Sequence, residues 1–277
     1  MRRRAERALL YAVLLVLAVP FVFPFWWMLT SSLKSANEIF AYPPRLVPEV
    51  WQWQNLVDIF TYQPFARHYF NSLYIACVVT IGTIAVASLA GYAFARIRFP
   101  GNGILFVLLL STLMMPTEVT IIPNFYLMQA IGLVNTHVPL VVIPIFGAAG
   151  VMGTFLMRQF FLGLPRELEE AAMIDGLGRL GVFRHIALPL AGPAIASLAV
   201  ITFLASWNSF LEPLVYINDL DLFTLPLSLR NFADAYGLPV WHLQLAATSL
   251  SVVPILIVYA LAQRRIVESF ATSGLKG

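Results

Sequence analysis

The chain alternates long apolar stretches with short polar segments, and this pattern predicts a helical membrane protein. A helix needs about 20 consecutive apolar residues to cross a bilayer, and six stretches meet that requirement. The segments between them contain charged residues, prolines or glycines. The predicted spans cover residues of about 8–30, 69–94, 104–127, 138–160, 193–217 and 243–263. We therefore expect an all-α fold with six transmembrane helices in a single domain, residues 1–277.

The first stretch has the basic start of a secretory signal, with Arg2, Arg3 and Arg4 before an apolar run. The run continues through Trp27 and Met28, which is longer than the apolar core of a signal peptide. No A-x-A cleavage pattern closes it. We interpret it as a retained first span.

One segment between spans, residues 161–190, is charged and has its own helix signals. Pro165 suits the first turn of a helix, and the glutamates after it are favoured near the positive helix end. Gly176 is expected to end this helix, as glycine does at a C-terminal cap. A second short helix is predicted from about Arg179 to Ala187 and should end before Pro189. Such an organised segment suggests a soluble partner, and a solvated amphipathic loop without a partner is the alternative.

The composition agrees with a membrane protein. The chain has 277 residues, of which 60% are hydrophobic and 11% charged, against about 25% charged in soluble domains. Its net charge of +3 comes from dispersed residues, so no basic patch for nucleic acid is visible. The single cysteine, Cys77, excludes a disulfide within the chain.

The distribution of Lys and Arg predicts the orientation, because cytoplasmic segments carry the excess of basic residues. With the N-terminus inside, the six spans place most of the 17 basic residues in the cytoplasm. Those inside are Arg2, Arg3, Arg4, Arg7, Arg96, Arg98, Arg158, Arg166, Arg179, Arg184, Arg264, Arg265 and Lys276. Those outside are Lys34, Arg45, Arg67 and Arg230. We therefore expect both termini, and the segment 161–190, on the cytoplasmic side.

Polar side chains at membrane depth are costly and mark candidate solute contacts. Glu118 lies in the third predicted span, and Glu212 in the fifth. Asn208 is four residues before Glu212, so both are expected on one helix face, with Trp207 beside them. An amide, a carboxylate and an aromatic ring suit a sugar. Alternatively, Asn208 bonds a neighbouring helix and Glu212 reaches water.

The segment 161–190 also resembles a known signature. It contains E-A-A, three residues, G, nine residues and I-x-L-P, which is the signature of transmembrane permease subunits of ABC importers. The matching residues are Glu170, Ala171, Ala172, Gly176, Ile186, Leu188 and Pro189, with Asp175 and Pro193 of the extended form. Further similar stretches are 71–73, 116–126, 206–210 with 213–214, and 274–277. Together these resemble the carbohydrate-uptake branch, specifically the six-span subunit similar to the maltose-permease G component. Ser209 and Glu212 differ from the residues more usual there.

The resemblance implies a type I ABC importer permease fold, in which the helix before Gly176 is a coupling helix that docks on a cytosolic ATPase subunit. It implies a second permease subunit in a heterodimer, two ATPase subunits and an external solute-binding protein, in a prokaryotic inner membrane. ATP and Mg would be used by the ATPase partners. This chain contains no G-x-x-x-x-G-K-[ST] phosphate loop, and we expect it to bind no cofactor or metal and to be no enzyme.

The solute stays open at this point. A sugar or oligosaccharide is the leading expectation, and a polyol or glycerol phosphate is the nearest alternative. Apart from Arg158 at the predicted cytoplasmic end of span 4, spans 2 to 5 contain no Lys or Arg, which favours a neutral solute. An intramembrane enzyme would need a catalytic group of residues that is not apparent. An autonomous channel or secondary transporter would not need the segment 161–190.

Overall fold

The protein is helical throughout the part that the computed structural model describes, residues 2–234 and 236–273. The similar stretch 274–277 lies outside these residues. The helices are α1 Arg2–Ser32, α2 Ala36–Ile39, α3 Asn55–Tyr62, α4 Phe65–Arg96, α5 Asn102–Ser111, α6 Thr117–Ala130, α7 Val138–Phe146, α8 Ala148–Leu162, α9 Arg166–Ile174, α10 Arg179–Val182, α11 Leu188–Leu190, α12 Gly192–Trp207, α13 Leu211–Tyr216, α14 Leu225–Arg230 and α15 Trp241–Ser273. Two 3₁₀ turns, Thr112–Met114 and Leu220–Leu222, and a π turn, Phe183–Ala187, complete them. One isolated antiparallel bridge joins Ala233 and Pro239.

Four helical stretches are long and apolar enough to cross a membrane. They are Leu9–Ser32, Phe65–Arg96, Val138–Leu162 and Trp241–Gln263. They overlap the predicted spans 1, 2, 4 and 6. Two bent helix pairs raise the number of spans to six if each pair crosses once.

The third predicted span, 104–127, is not one straight helix. The stretches Asn102–Met114 and Thr117–Ala130 meet at an angle of 100°. Met115 and Pro116 both have extended backbone at the break, and proline disfavours a helical conformation in the residue before it, here Met115. Pro123, by contrast, lies inside α6. Span 3 is therefore interrupted at Pro116 and not at Pro123.

The fifth predicted span, 193–217, is also broken. The helix α12 ends at Trp207, and α13 begins only at Leu211. A second bend, of 74°, precedes α12 and separates it from the stretch Arg179–Leu190. Asn208 is thus a residue at a helix end and not the middle of a span.

The residues group into two compact units. The first comprises residues 1–66 and 228–253 and contains a buried lysine in the predicted external segment. The Lys34 ammonium donates to the carbonyl of Arg45 at 2.6 Å and lies 4.2 Å from the ring of Trp27. Burial lowers the pKa of Lys34, and Glu38 acts in the opposite direction. The Asn55 amide donates to the carbonyl of Lys34 at 3.0 Å, so this segment is ordered by polar contacts.

The second unit comprises residues 67–227 and 254–277 and has two apolar clusters. One cluster joins α4 and α8 to the segment 161–190 and to α12. Its buried members are Ala87, Tyr92, Met157, Phe161, Phe183, Ala187, Ala191, Ala194 and Leu198. At Gly91 in α4, an added Cβ would lie 2.8 Å from the backbone nitrogen of Arg158, so glycine permits the close approach of α8.

The other cluster joins the first half of α4 to α6, α7 and α13. Its buried members are Ile75, Val79, Met128, Leu140, Ile145, Tyr216 and Ile217. The first cluster packs beneath the surface segment 161–190, and the second borders a cavity.

Candidate functional site: a surface segment and a cavity

The helix α9 ends at Gly176, as the sequence predicts. Gly176 has a φ of 92°, a left-handed conformation that favours glycine. The N–H of Gly176 donates to the carbonyl of Met173 at 3.1 Å, and that of Leu177 to Ala172 at 3.0 Å. These two bonds form a Schellman motif, which satisfies carbonyls at the helix end. At the other end, Pro165 precedes the helix at the N-cap position rather than lying in its first turn.

The second helix of the segment does not end before Pro189. It runs from Arg179 to Leu190 as α10, the π turn and α11. Pro189 lies in the first turn of α11, where the missing N–H of a proline has no helical partner to lose. The π turn Phe183–Ala187 lies directly before α11. The helix therefore continues past Pro189, and the prediction that it ends before Pro189 was wrong.

The predicted coupling residues divide between an outer and an inner face. Glu170, Ala171, Asp175, Gly176 and Pro189 are exposed. Ala172 is buried, whereas Ile186 and Leu188 are half-buried. Apolar side chains lie on the exposed side as well, with Ile174 86% and Leu180 73% exposed. An outer face that combines acids, an alanine and large apolar side chains suits contact with another protein.

The inner face of α9 holds an ion pair that the sequence did not reveal. Glu169 is buried, and its Oε1 lies 3.0 Å from Nε of Arg96 at the end of α4. In the sequence, Glu169 is one of the glutamates that follow Pro165, with no sign of a buried partner. Its spacing of three from the small residue Ala172 places the two on one helix face, but the sequence does not show that this face is buried.

A cavity of about 640 Å³ lies in the second unit, between segments of α4, α6, α7, α8, α12 and α13. Hydroxyl and amide side chains supply most of its polar lining. They are Ser72, Thr112, Thr117, Thr120, Asn124, Thr202, Ser206, Ser209, Tyr216 and Thr224. Glu212 is the one carboxylate, and no Lys, Arg or His occurs among the described residues of the lining. The cavity therefore offers hydrogen bonds without positive charge.

Glu212 is the one of the four predicted pathway residues that lines this cavity. Its Oε2 accepts a hydrogen bond from the Ser209 hydroxyl at 2.6 Å. Glu118 is exposed in the first turn of α6, beside the lining residues Thr117 and Thr120.

Trp207 and Asn208 are directed elsewhere. Trp207 is buried and packs against Tyr69 and Phe203, with ring centroids 5.5 and 5.8 Å away. Asn208 is exposed and donates to the carbonyl of Leu204, one turn earlier, at 2.9 Å. Because the helix stops between Asn208 and Glu212, the helix face predicted to be shared by these two residues does not exist.

Most of the residues that line the cavity were not predictable from the sequence. Serine and threonine are common in membrane helices and often bond to their own backbone, so their presence does not show which helix face lines a cavity. Asn124 follows Pro123 inside the predicted third span and was the one available signal, a polar amide at membrane depth.

Residues 84–269 match the family described as "Binding-protein-dependent transport system inner membrane component". The chain belongs to this family. It is therefore a subunit of a transport system, and the predicted ABC-importer permease family is confirmed. The match places it among inner membrane proteins, in agreement with its apolar helices.

Relatives of this permease carry several transport names. The arabinooligosaccharides transport system permease protein of Halalkalibacterium halodurans is 36% identical over 92% of this chain and 91% of its own length. The sn-glycerol-3-phosphate transport system permease protein of Yersinia enterocolitica is 33% identical over 98% of each chain. The diacetylchitobiose uptake system permease protein of Streptomyces coelicolor is 32% identical over 96% of this chain and 88% of its own length.

Solved structures confirm the fold. A chain from a bacterial ABC transporter that imports the acidic polysaccharide alginate matches with a TM-score of 0.81 and 20% identity. The match covers 96% of this permease and 98% of that chain. A chain of a methionine ABC transporter matches with a TM-score of 0.56 and 17% identity over 72% and 93% of the two chains. The predicted type I ABC importer permease fold is therefore correct.

Proposed function

We propose that this permease forms part of the pathway of an ATP-driven importer for a neutral sugar or oligosaccharide. The observation that carries the proposal is the cavity lining of hydroxyl and amide groups, with Glu212 and no cation among its described residues. Carboxylate, amide and hydroxyl groups hydrogen-bond to the hydroxyls of a sugar. Two relatives are named for oligosaccharide uptake, which supports the same class of solute.

Glycerol phosphate is the second candidate, because one relative is named for its transport. A phosphate group calls for Arg, Lys or helix N-termini. The described cavity lining supplies no basic side chain and holds a carboxylate, which repels an anion. This charge balance favours the neutral solute.

The proposed machine contains further subunits. This chain pairs with a second permease, two cytosolic ATPase subunits and an external solute-binding protein. The ATPase subunits bind ATP and Mg and perform the hydrolysis, and both termini of this chain are cytoplasmic. The outer face of residues 161–190, with Glu170, Ala171, Asp175 and Gly176, docks on an ATPase subunit, and Ile186, Leu188 and Pro189 belong to the helix behind it.

The test is purification in mild detergent followed by reconstitution with the encoded partners. The ATPase subunits should co-purify with this chain, and vesicles should take up labelled arabinotriose or diacetylchitobiose in an ATP-dependent way. Labelled sn-glycerol-3-phosphate is the competing probe. Uptake of that anion alone would overturn the assignment to neutral solutes, and uptake by the isolated chain would overturn the importer.

A further inference from the structure

Arg96 and Glu169 connect the end of α4 with the inner face of α9. Their side chains are 6% and 11% exposed, and Nε and Oε1 are 3.0 Å apart. The Nη2 of Arg96 also donates to the carbonyl of Leu164, just before α9, at 2.5 Å. The guanidinium therefore holds both α9 and the residues that lead into it.

Burial makes this pair sensitive to the loss of either member. Two opposite charges that are buried away from water stabilise each other. Removal of one leaves the other buried without a partner, which is strongly unfavourable. The planar guanidinium is also fixed by the bond from its Nη2 to the Leu164 carbonyl, so its orientation toward Glu169 is restricted. The pair thus holds α4 and α9 in one relative geometry.

Tyr92, one turn before Arg96, extends the connection to the second helix of the segment. Its ring lies 5.1 Å from the ring of Phe183 and 5.5 Å from that of Phe161. The last turns of α4 therefore contact both helices of residues 161–190. The outer face of that segment, with Ile174 exposed, stays open.

We propose that the buried Arg96–Glu169 pair is a positioning contact that makes residues 161–190 and α4 move as one body. This inference rests on the proposed docking of the outer face on an ATPase subunit. Movement of that subunit then reaches α4, and α4 carries the cavity residues Ser72, Ile75 and Val79. Arg96 and Glu169 would act on transport through geometry and without touching the solute.

The experiment measures one distance in two states of the assembled transporter. The exposed native Cys77 on α4 takes one spin label, and Glu167→Cys at the exposed start of α9 takes the other, with cysteine-free partners. Cys77 lies about 28 Å from Arg96 along the helix, at about 1.5 Å per residue, which suits dipolar distance measurement. The states are nucleotide-free and trapped with ATP and vanadate.

With the pair intact, we expect the same narrow distance distribution in both states. In Glu169→Gln and in Arg96→Gln, the distribution should broaden or shift between the states. The double variant should be no worse than the worse single variant, because both changes remove one interaction. Arg98→Gln, an exposed arginine two residues later, is the matched control and should behave as the unsubstituted chain.

A second variant keeps the test decisive if the single changes prevent assembly. Arg96→Met with Glu169→Leu removes both buried charges, which is often tolerated. Retention of the unchanged distance in either set of variants would overturn the role of the ion pair and leave the proposed function standing. Failure of the ATPase subunits to co-purify with the unsubstituted chain would overturn the proposed function itself.

Discussion

Gly176 shows how one residue shapes the surface of the segment 161–190. Its φ of 92° allows the Schellman motif that ends α9, and an added Cβ would meet nothing within 4 Å in this chain. A side chain at this position therefore disturbs the backbone or an external partner, but no contact inside the permease. Gly178, two residues later, also has open space around it, and its φ is an ordinary −71°.

We expect Gly176→Asp to leave the chain in the membrane and abolish uptake, because the turn and the close approach of the ATPase subunit are lost. Uptake and co-purification of the ATPase subunits measure the effect. Gly178→Asp is the matched control and should transport, since aspartate is favoured at the helix N-cap that Gly178 occupies. Normal transport by an assembled Gly176→Asp variant would contradict the docking assignment.

Glu212 is the residue at which solute affinity should respond. We expect Glu212→Gln to raise the solute concentration for half-maximal uptake by about tenfold or more, since a hydrogen bond to a charged group contributes about 1.5–3 kcal/mol. Asn208→Ala should have a smaller effect, because the Asn208 amide bonds its own helix. The measurement is uptake against concentration at equal amounts of assembled transporter. Unchanged affinity in both variants would refute the proposed solute site.

The elements were predictable where a single local rule decides them. Apolar length predicted the four helical stretches that are long enough to cross a membrane, and the conformational preference of glycine predicted the end of α9. Two prolines of the same apolar stretch differ in their effect on the helix. A break of 100° occurs at Pro116, whereas the helix continues through Pro123. Tertiary packing decides between these outcomes, so sequence could not. The same holds for Glu212, whose place in the cavity depends on the break after Trp207.

The contact between α4 and α8 gives a prediction at the scale of elements. Gly91→Ala should destabilise the protein by about 1–3 kcal/mol, because the Cβ would lie 2.8 Å from both the Arg158 nitrogen and the Met157 Cβ. Gly103→Ala is the control, since its Cβ would meet nothing within 4 Å. Thermal unfolding in detergent compares the two variants. Equal melting temperatures would show that α4 and α8 can separate without cost.

At the scale of the whole molecule, the distribution of basic residues makes the orientation testable. Tyr236 and Ile174 are 89% and 86% exposed, and the predicted topology places them on opposite sides of the membrane. In a Cys77→Ala background, an impermeant maleimide should label Tyr236→Cys on intact spheroplasts and Ile174→Cys only after permeabilisation. The reverse pattern would invert the topology. The assignment of residues 1–277 to a single permease domain also stays a prediction.

The exposed apolar face of residues 161–190 has a consequence for the life of the protein in the cell. A chain made in excess of its ATPase partners would present Ile174 and Leu180 to cytoplasmic water with nothing to cover them. Exposed apolar surface of this kind favours aggregation, and it is what chaperones and proteases bind. The docking surface would then also limit the amount of this permease in the cell. Chains bound to an ATPase subunit have this surface covered, and the surplus chains are degraded.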